Sequence, residues 1–175
     1  TIGSKDKLER LKEFGVDHAI LYREVDFADA IRDLTKSRGV DLVVLAGYMR
    51  ICGAELLAAF PGSIFNIHPS LLPAYSGLDT HARALRDGVR IHGCTVHFVT
   101  PDLDHGPIII QAAVAVLPDD TEQTLAARVL REEHRIYPQA MRWLCTGQIE
   151  LAGHDKVILK HRKQIGHPLI SPGLE

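Results

Sequence analysis

The run LVVLA (residues 42–46) carries five apolar residues in succession and stands between a segment with helical periodicity, residues 26–38, and the loop GYMRI. A continuous apolar run without alternation is typical of a parallel strand that is covered on both faces. Helical and strand patterns alternate in the first half of the chain, which predicts an α/β fold with a largely parallel sheet. Ligands in such sheets bind at the carboxyl ends of the strands, so the residues that follow each strand are the first candidates for a functional site.

The spacing of apolar residues predicts the remaining elements. The predicted helices cover residues 5–14, 26–38, 54–60, 80–87 and 120–144. The predicted strands cover residues 16–22, 42–46, 63–67, 93–100 and 107–117, and residues 149–160 are expected to form a hairpin. The strands 93–100 and 107–117 are expected to pair antiparallel. We expect Asp120 to cap the long helix in a capping box with Gln123, and Pro138 to kink it.

The composition excludes several classes of function. The chain has 175 residues, of which 46% are apolar and 24% are charged, and this suits one soluble domain with a sizeable core. A net charge of −2 does not favour nucleic acid or an anionic membrane as a partner. The apolar runs are too short to span a bilayer.

The cysteines and histidines give weak signals. Cys52, Cys94 and Cys145 lie far apart and match no zinc spacing or disulfide framework, which favours a reducing compartment and predicts a cytoplasmic protein. The ten histidines form no HxxxH or HExxH pattern. A metal site built from a pair such as His92 and His97 is therefore only a minor alternative.

The stretch FNIHPSLLPAYSG (residues 65–77) carries the first candidate residues. Asn66 and His68 lie at the end of a predicted strand, and alternation puts them on the same side of the backbone. Pro69 and Pro73 restrict the exit from that strand. An amide and an imidazole held in this way can both donate to one oxygen, as an oxyanion requires. A packed histidine next to a turn-forming asparagine is an equally good interpretation of the spacing alone.

Charged residues near other strand ends and on the long helix complete the set of candidates. Asp104 in the loop TPDLDHGP can orient His68 and favour its charged, acidic form. An Asx turn is the simpler interpretation of Asp104, and the sequence alone does not separate it from the neighbouring Asp102. Arg50 follows the run LVVLA, and Glu133 lies in the middle of the long helix, where a solvated helix face is the more frequent situation.

Four segments, taken in order, resemble a known family. They are LAGYMRI (45–51), FNIHPSLLPAYSG (65–77), HGCTVHFVTPDLDHGPIIIQ (92–111) and EEHRIYPQAMRW (132–143). In order and spacing they resemble the phosphoribosylglycinamide formyltransferase family, a branch of the 10-formyltetrahydrofolate-dependent formyltransferases. The resemblance implies a Rossmann-like formyltransferase fold, with a mostly parallel sheet, helices on both faces and an antiparallel C-terminal part.

The resemblance also implies a reaction and a set of site residues. The amine of glycinamide ribonucleotide would take the formyl group of 10-formyltetrahydrofolate, a step of purine biosynthesis, without a metal. Asn66, His68 and Asp104 would be catalytic, and Glu133 would receive the glycinamide amine. The folate would contact Met49, Arg50, Ile51, Cys52, Thr100, Pro101, Asp102 and Leu103. The expected partners are these small molecules, with no nucleic acid and no membrane, and the expected state is a monomer or a homodimer.

The chain also departs from the family pattern. The first strand and the Gly-Ser-Asn loop that holds the ribonucleotide phosphate are not found, which corresponds to about fifty residues of a βαβ unit. We therefore expect a single domain over residues 1–175 that is N-terminally truncated relative to the family. Ala74 and Asp79 stand where the family often has Lys and His. A 10-formyltetrahydrofolate hydrolase and a truncated, non-catalytic folate-binding homologue are the alternative functions.

Overall fold

The computed structural model describes residues 5, 16–21, 23–48, 50–152 and 156–160. The predicted helix over residues 5–14 lies outside the described residues apart from Lys5, and so do Met49 and the segment that follows Lys160. The chain divides into two compact units, Thr1–Asp41 and Leu42–Glu175. The prediction of one domain over residues 1–175 stays a prediction.

The first unit contains helix α1, Phe27–Leu34. Asp26 caps this helix, since its side chain accepts a hydrogen bond of 2.9 Å from the main-chain N–H of Asp29. The helix ends four residues before the predicted boundary because Lys36 and Ser37 adopt positive φ angles of 50° and 64°. Among the described residues of the predicted strand 16–22, only Leu21 forms a β-bridge.

The second unit is built on a four-stranded sheet in the order β1-β2-β3-β4. The strands are β1 (Val43–Leu45), β2 (Ile64–His68), β3 (Ile91–Phe98) and β4 (Ile108–Ala115). Strands β1 and β2 are parallel, whereas β2–β3 and β3–β4 are antiparallel. Helix α2 (Ala54–Ala59) lies between β1 and β2 in the chain, as a parallel crossover requires. The predicted hairpin forms from β5 (Ile149–Ala152) and β6 (Lys156–Leu159).

Two further helices follow the parallel pair of strands. Helix α3 spans Thr80–Arg86, and helix α4 spans Glu122–Cys145 and continues through Pro138. The expected cap of α4 is wrong by one residue, because Thr121 forms the capping box with Thr124. The carboxylate of Asp120 is instead held by two hydrogen bonds from the guanidinium of Arg128, at 2.6 and 2.7 Å.

The core of the second unit lies between α4 and the antiparallel strands. One stripe of the helix is buried and packs against apolar side chains of β2, β3 and the C-terminal end of β4. Its members are Leu125, Val129, Ile136 and Ala140. A fully buried leucine, valine or isoleucine side chain stabilises the fold by about 1.5–3 kcal/mol, so this stripe contributes strongly to holding α4 on the sheet. None of the described helices is both long and apolar enough to cross a membrane.

Candidate active site

A cleft of about 960 Å³ opens where β1 and β2 end. Its walls come from the loop after β1, the end of β2 with the loop that follows it, the tip of the β3–β4 loop and one face of α4. This position is the carboxyl edge of the parallel pair, where the sequence analysis expects a ligand. The cleft holds Asn66, His68, Asp104 and Glu133 among its lining residues.

The structure brings Asn66, His68 and Asp104 to one point of this cleft. Asn66 and His68 are alternate residues of β2 and therefore project to the same side of the sheet. The Nδ1 atom of His68 lies 3.5 Å from Oδ2 of Asp104, and the two side chains are only 8% and 7% exposed. Asp102, the competing aspartate, is exposed and lies outside the cleft lining.

Both ring nitrogens of His68 face hydrogen-bond acceptors. While Nδ1 faces the carboxylate of Asp104, Nε2 lies 3.0 Å from the main-chain oxygen of Tyr75. A doubly protonated imidazolium satisfies both acceptors at once. Before His68 donates to a ligand in the cleft, its Nε2–H group must exchange the Tyr75 carbonyl for an oxygen of that ligand.

The loop between β2 and α3 supplies two main-chain groups to this cluster. One is the oxygen of Tyr75, and the other is the N–H of Gly77, which donates to Oδ2 of Asp104 at 2.8 Å. Helix α3 fixes the loop, because Nη1 of Arg83 donates to the main-chain oxygen of Ser76 at 2.6 Å. The guanidinium of Arg83 also lies 5.4 Å from the ring centroid of Tyr75.

The backbone around Asp104 is unusual in two ways. Asp104 itself has a positive φ of 54°, a conformation that aspartate tolerates better than most residues. Two residues later, Gly106 approaches β3 so closely that an added Cβ would lie 1.8 Å from the main-chain oxygen of Phe98. Only glycine fits there, and this close approach holds the loop where the Asp104 carboxylate reaches His68.

His97 joins the cluster, although the sequence pattern favours it only as a minor metal-site alternative. It lies directly opposite Asn66 in the β2–β3 register, and its Nε2 is 3.4 Å from Nδ2 of Asn66. Its Nδ1 lies 2.8 Å from the main-chain oxygen of Phe98 and must carry a proton to donate there. Burial lowers the pKa of His97, so the ring is neutral and Nε2 accepts from the amide of Asn66.

This arrangement of His97 orients Asn66. The amide nitrogen, rather than the amide oxygen, is directed at His97, and one N–H remains for a ligand in the cleft. The other neighbour of His97 is Oδ1 of Asp104, 3.8 Å from Nε2. The pairing register of β2 with β3 is what places His97 beside Asn66. The alternation of side chains within either strand does not specify that register.

Glu133 lies on the α4 wall of the same cleft and is partly buried. Burial raises the pKa of Glu133, while the nearby His134 and His68 oppose this shift. A raised pKa makes the carboxylate a stronger proton acceptor near neutral pH. Glu133 therefore does not lie on a solvated helix face, and it is placed to accept from a cationic or amine group in the cleft.

The residues expected to contact a folate are distributed more widely. Arg50, Ile51 and Leu103 line the cleft. Cys52 is buried outside the lining, and Thr100 to Asp102 form the part of the loop that leads to Leu103. Met49 lies outside the described residues.

A pair of histidines forms a second polar feature of the cleft. Nδ1 of His81, a lining residue, is 3.2 Å from Nε2 of His92. Burial lowers the pKa of His92 to about 4, so this pair is neutral at physiological pH. In the part of the chain that the structure covers, no group of three or more His, Cys, Asp or Glu side chains is arranged to hold a metal ion.

Two hydrogen-bond donors at the end of a strand, beside a carboxylate from a neighbouring loop, are the kind of arrangement with which group-transfer enzymes stabilise an oxyanion. Comparison with known families narrows this class, since residues 5–141 match the family described as formyl transferase. The chain belongs to the formyl transferase family. The family resemblance, the α/β formyltransferase fold and the formyltransferase activity predicted from the sequence are thereby confirmed. The described four-stranded sheet is mixed rather than mostly parallel, with one parallel and two antiparallel pairings.

Individual relatives point to one branch of this family. The chain is 42% identical over 149 residues to the phosphoribosylglycinamide formyltransferase of Haemophilus influenzae, which corresponds to 82% of this chain and 70% of the relative. A solved structure of glycinamide ribonucleotide transformylase 1 from Symbiobacterium toebii has a TM-score of 0.73 at 48% identity, covering 87% of this chain and 74% of the other. A formyltetrahydrofolate deformylase from Pseudomonas syringae has a TM-score of 0.75 at only 26% identity, with coverages of 90% and 54%.

Proposed function

We propose that this chain transfers the formyl group of 10-formyltetrahydrofolate to the amine of glycinamide ribonucleotide. The observation that carries the proposal is the convergence of Asn66, His68, Asp104 and Glu133 on one cleft. The identity to relatives named phosphoribosylglycinamide formyltransferase, 42% in Haemophilus influenzae and 45% in Bacillus subtilis, supports the same substrates.

The first chemical step forms a tetrahedral intermediate. The amine nitrogen attacks the formyl carbon, and the carbonyl electron pair moves onto the oxygen. Asn66 donates to this oxygen through the N–H that His97 leaves free, and His68 donates through Nε2 after releasing Tyr75. Donors placed in advance at the developing charge are the largest single contribution to such reactions, and removing one costs about 10²–10³ in rate.

The second step breaks the bond between the formyl carbon and N10 of the folate. N10 gains one proton and the amine loses one, so the net reaction needs no outside acid or base. The carboxylate of Asp104 lies 3.5 Å from Nδ1 of His68 and orients its ring, and His68 acts as the general acid. A solvent water in the cleft would carry the proton from His68 to N10.

Glu133 prepares the nucleophile. Its carboxylate accepts a hydrogen bond from the amine and directs the nitrogen lone pair at the formyl carbon, and its raised pKa favours uptake of the proton that the amine loses. The substrate amine replaces a protein nucleophile. Burial raises the pKa of Cys52, and it raises the pKa of Cys94 to about 12, so neither thiol forms a reactive thiolate.

The remaining predicted residues hold the folate. Arg50, Ile51 and Leu103 present polar and apolar surface to its ring from the cleft lining. Met49, Cys52, Thr100, Pro101 and Asp102 are proposed as further folate contacts on the family resemblance alone. We propose small molecules as the partners, a monomer or homodimer as the state, and the cytoplasm as the location.

Formyl transfer by the purified full-length protein tests the proposed function. Loss of 10-formyltetrahydrofolate and gain of formylated glycinamide ribonucleotide are followed together. We expect transfer that depends on the acceptor, and a decrease of about 10²–10³-fold in Asn66→Ala and in His68→Ala. Release of formate without an acceptor supports the hydrolase instead. Unchanged turnover in His68→Ala removes His68 from the mechanism.

A further inference from the structure

The hydroxyl of Tyr137 joins helix α4 to the ends of both parallel strands. It donates to the main-chain oxygen of Leu45 at 2.5 Å and lies 3.4 Å from the main-chain oxygen of Phe65. Leu45 is the last residue of β1, and it pairs with Asn66 in the β1–β2 register. The hydroxyl therefore sits at the point of the sheet where the cleft begins.

Each main-chain oxygen that the hydroxyl contacts belongs to a residue that immediately precedes a residue of the cleft lining. The residue after Leu45 is Ala46, which begins the loop that lines the cleft, and the residue after Phe65 is Asn66. On the helix, Tyr137 follows Glu133 by four positions, so the two side chains lie on the same face one turn apart. One hydroxyl thus links the helix that carries Glu133 to the strand that carries Asn66.

The hydroxyl of Tyr137 remains a hydrogen-bond donor at physiological pH. Burial raises the pKa of Tyr137, so the group stays protonated over the whole physiological range. Its ring packs against the core cluster, and the apolar stripe of α4 holds the helix on the sheet independently of the hydroxyl. The polar contact adds a fixed point to this packing, because it ties one position of the helix to the main chain of β1 and β2.

We propose that Tyr137 is a positioning residue that sets the separation between Glu133 on α4 and Asn66 on β2. The proposal rests on the function proposed above, in which Glu133 holds the amine and Asn66 holds the formyl oxygen. Misplacement of reacting groups by about 1 Å costs as much as 10²-fold in rate, even when the altered residue touches neither substrate.

Removal of this one hydroxyl in Tyr137→Phe tests the proposal. The phenyl ring preserves the packing, so we expect a folded protein whose kcat falls about tenfold while the KM for the folate changes less than about twofold. In a Glu133→Gln background, the same substitution should change kcat less than about twofold, because the group it positions is already altered. Thr146→Val is the matched control, since it removes a hydroxyl that donates to a main-chain oxygen of the same helix, that of Arg142 at 2.7 Å, away from the cleft.

The outcomes separate this proposal from the function on which it rests. A kcat for Tyr137→Phe within about twofold of wild type, or equal effects of Tyr137→Phe in the wild-type and Glu133→Gln backgrounds, overturns the positioning role. Amide hydrogen exchange gives a readout without substrate: peptides covering residues 43–48 and 64–68 should exchange faster in Tyr137→Phe and not in Thr146→Val. If the wild-type protein transfers no formyl group to glycinamide ribonucleotide, the proposed function fails, and unchanged exchange in these peptides then overturns the positioning role separately.

Discussion

Substitution of Gly106 by alanine should displace Asp104 without removing any polar group of the site. The new Cβ would lie 1.8 Å from the main-chain oxygen of Phe98, whereas real Cβ contacts essentially never fall below 3.0 Å. The loop must therefore move by at least about 1.2 Å, the difference between 3.0 and 1.8 Å. Asp104 is two residues away and faces His68 at 3.5 Å, so the same movement should break or lengthen the contact between these two side chains.

The expected loss of activity follows from this displacement. Because a misplacement of about 1 Å costs as much as 10²-fold, we expect kcat for formyl transfer to fall about 10²-fold in Gly106→Ala. The overpacked loop should also lower the free energy of unfolding by about 1–3 kcal/mol, which urea denaturation measures. Gly106→Ala should add little to the effect of Asp104→Ala, since both substitutions remove the same interaction.

A second glycine provides the control. An alanine Cβ at Gly53 meets nothing within 4 Å, so Gly53→Ala should retain the wild-type kcat. Its free energy of unfolding should fall by no more than about 1 kcal/mol, because Gly53 is the N-cap of α2 and alanine is a poorer N-cap than glycine. If Gly106→Ala folds and its kcat stays within about threefold of wild type, the close approach to β3 does not position Asp104. The same conclusion follows if the effects of Gly106→Ala and Asp104→Ala on the activation free energy simply add.

Three further predictions concern the core, the site and the response to acid. Leu125→Ala, at a fully buried position, should lower the free energy of unfolding in urea by about 2–5 kcal/mol. His97→Ala should lower kcat about tenfold with little change in KM, because Asn66 loses the acceptor that orients its amide. Two hydrogen bonds from Arg128 hold the pKa of Asp120 well below its usual range. The stability this gives is present above about pH 4 and is lost as the pH falls below it, so Asp120→Asn should be less stable at pH 7 and flatten the acid branch of a denaturation series. A parallel acid branch in wild type and variant contradicts this role of Asp120.

The residues that sequence reasoning located best are those whose positions follow from one strand. Asn66 and His68 are two apart at a strand end, and the period of a β-strand alone puts them on one side of the sheet. The apolar run 42–46 likewise identifies β1. The expected burial on both faces is wrong, because Val44 is 46% exposed and neither Val43 nor Leu45 is fully buried. In each case the information is local, and no partner strand is needed to interpret it.

Contacts that depend on how two elements align with each other could not be predicted from the sequence of either element. His97 reaches Asn66 only because β3 pairs with β2 in one particular alignment, and Tyr137 reaches Leu45 only because α4 packs at one particular position on the sheet. The cap of α4 shows the same limit at short range. Asp120 has a side chain suited to capping, yet its carboxylate accepts hydrogen bonds from Arg128, about two turns along the helix. Competition between partners, rather than residue type, decides such positions.

The most direct test of the catalytic arrangement is a crystal structure of the full-length protein with glycinamide ribonucleotide and a folate analogue whose formyl group cannot be transferred. The distances to measure run from the formyl oxygen to Nδ2 of Asn66 and to Nε2 of His68. We predict that both lie at about 2.7–3.1 Å, with Nε2 of His68 released from the main-chain oxygen of Tyr75. A formyl oxygen beyond hydrogen-bond distance of both atoms, with His68 still bound to Tyr75, contradicts the assignment of this cluster as the oxyanion site.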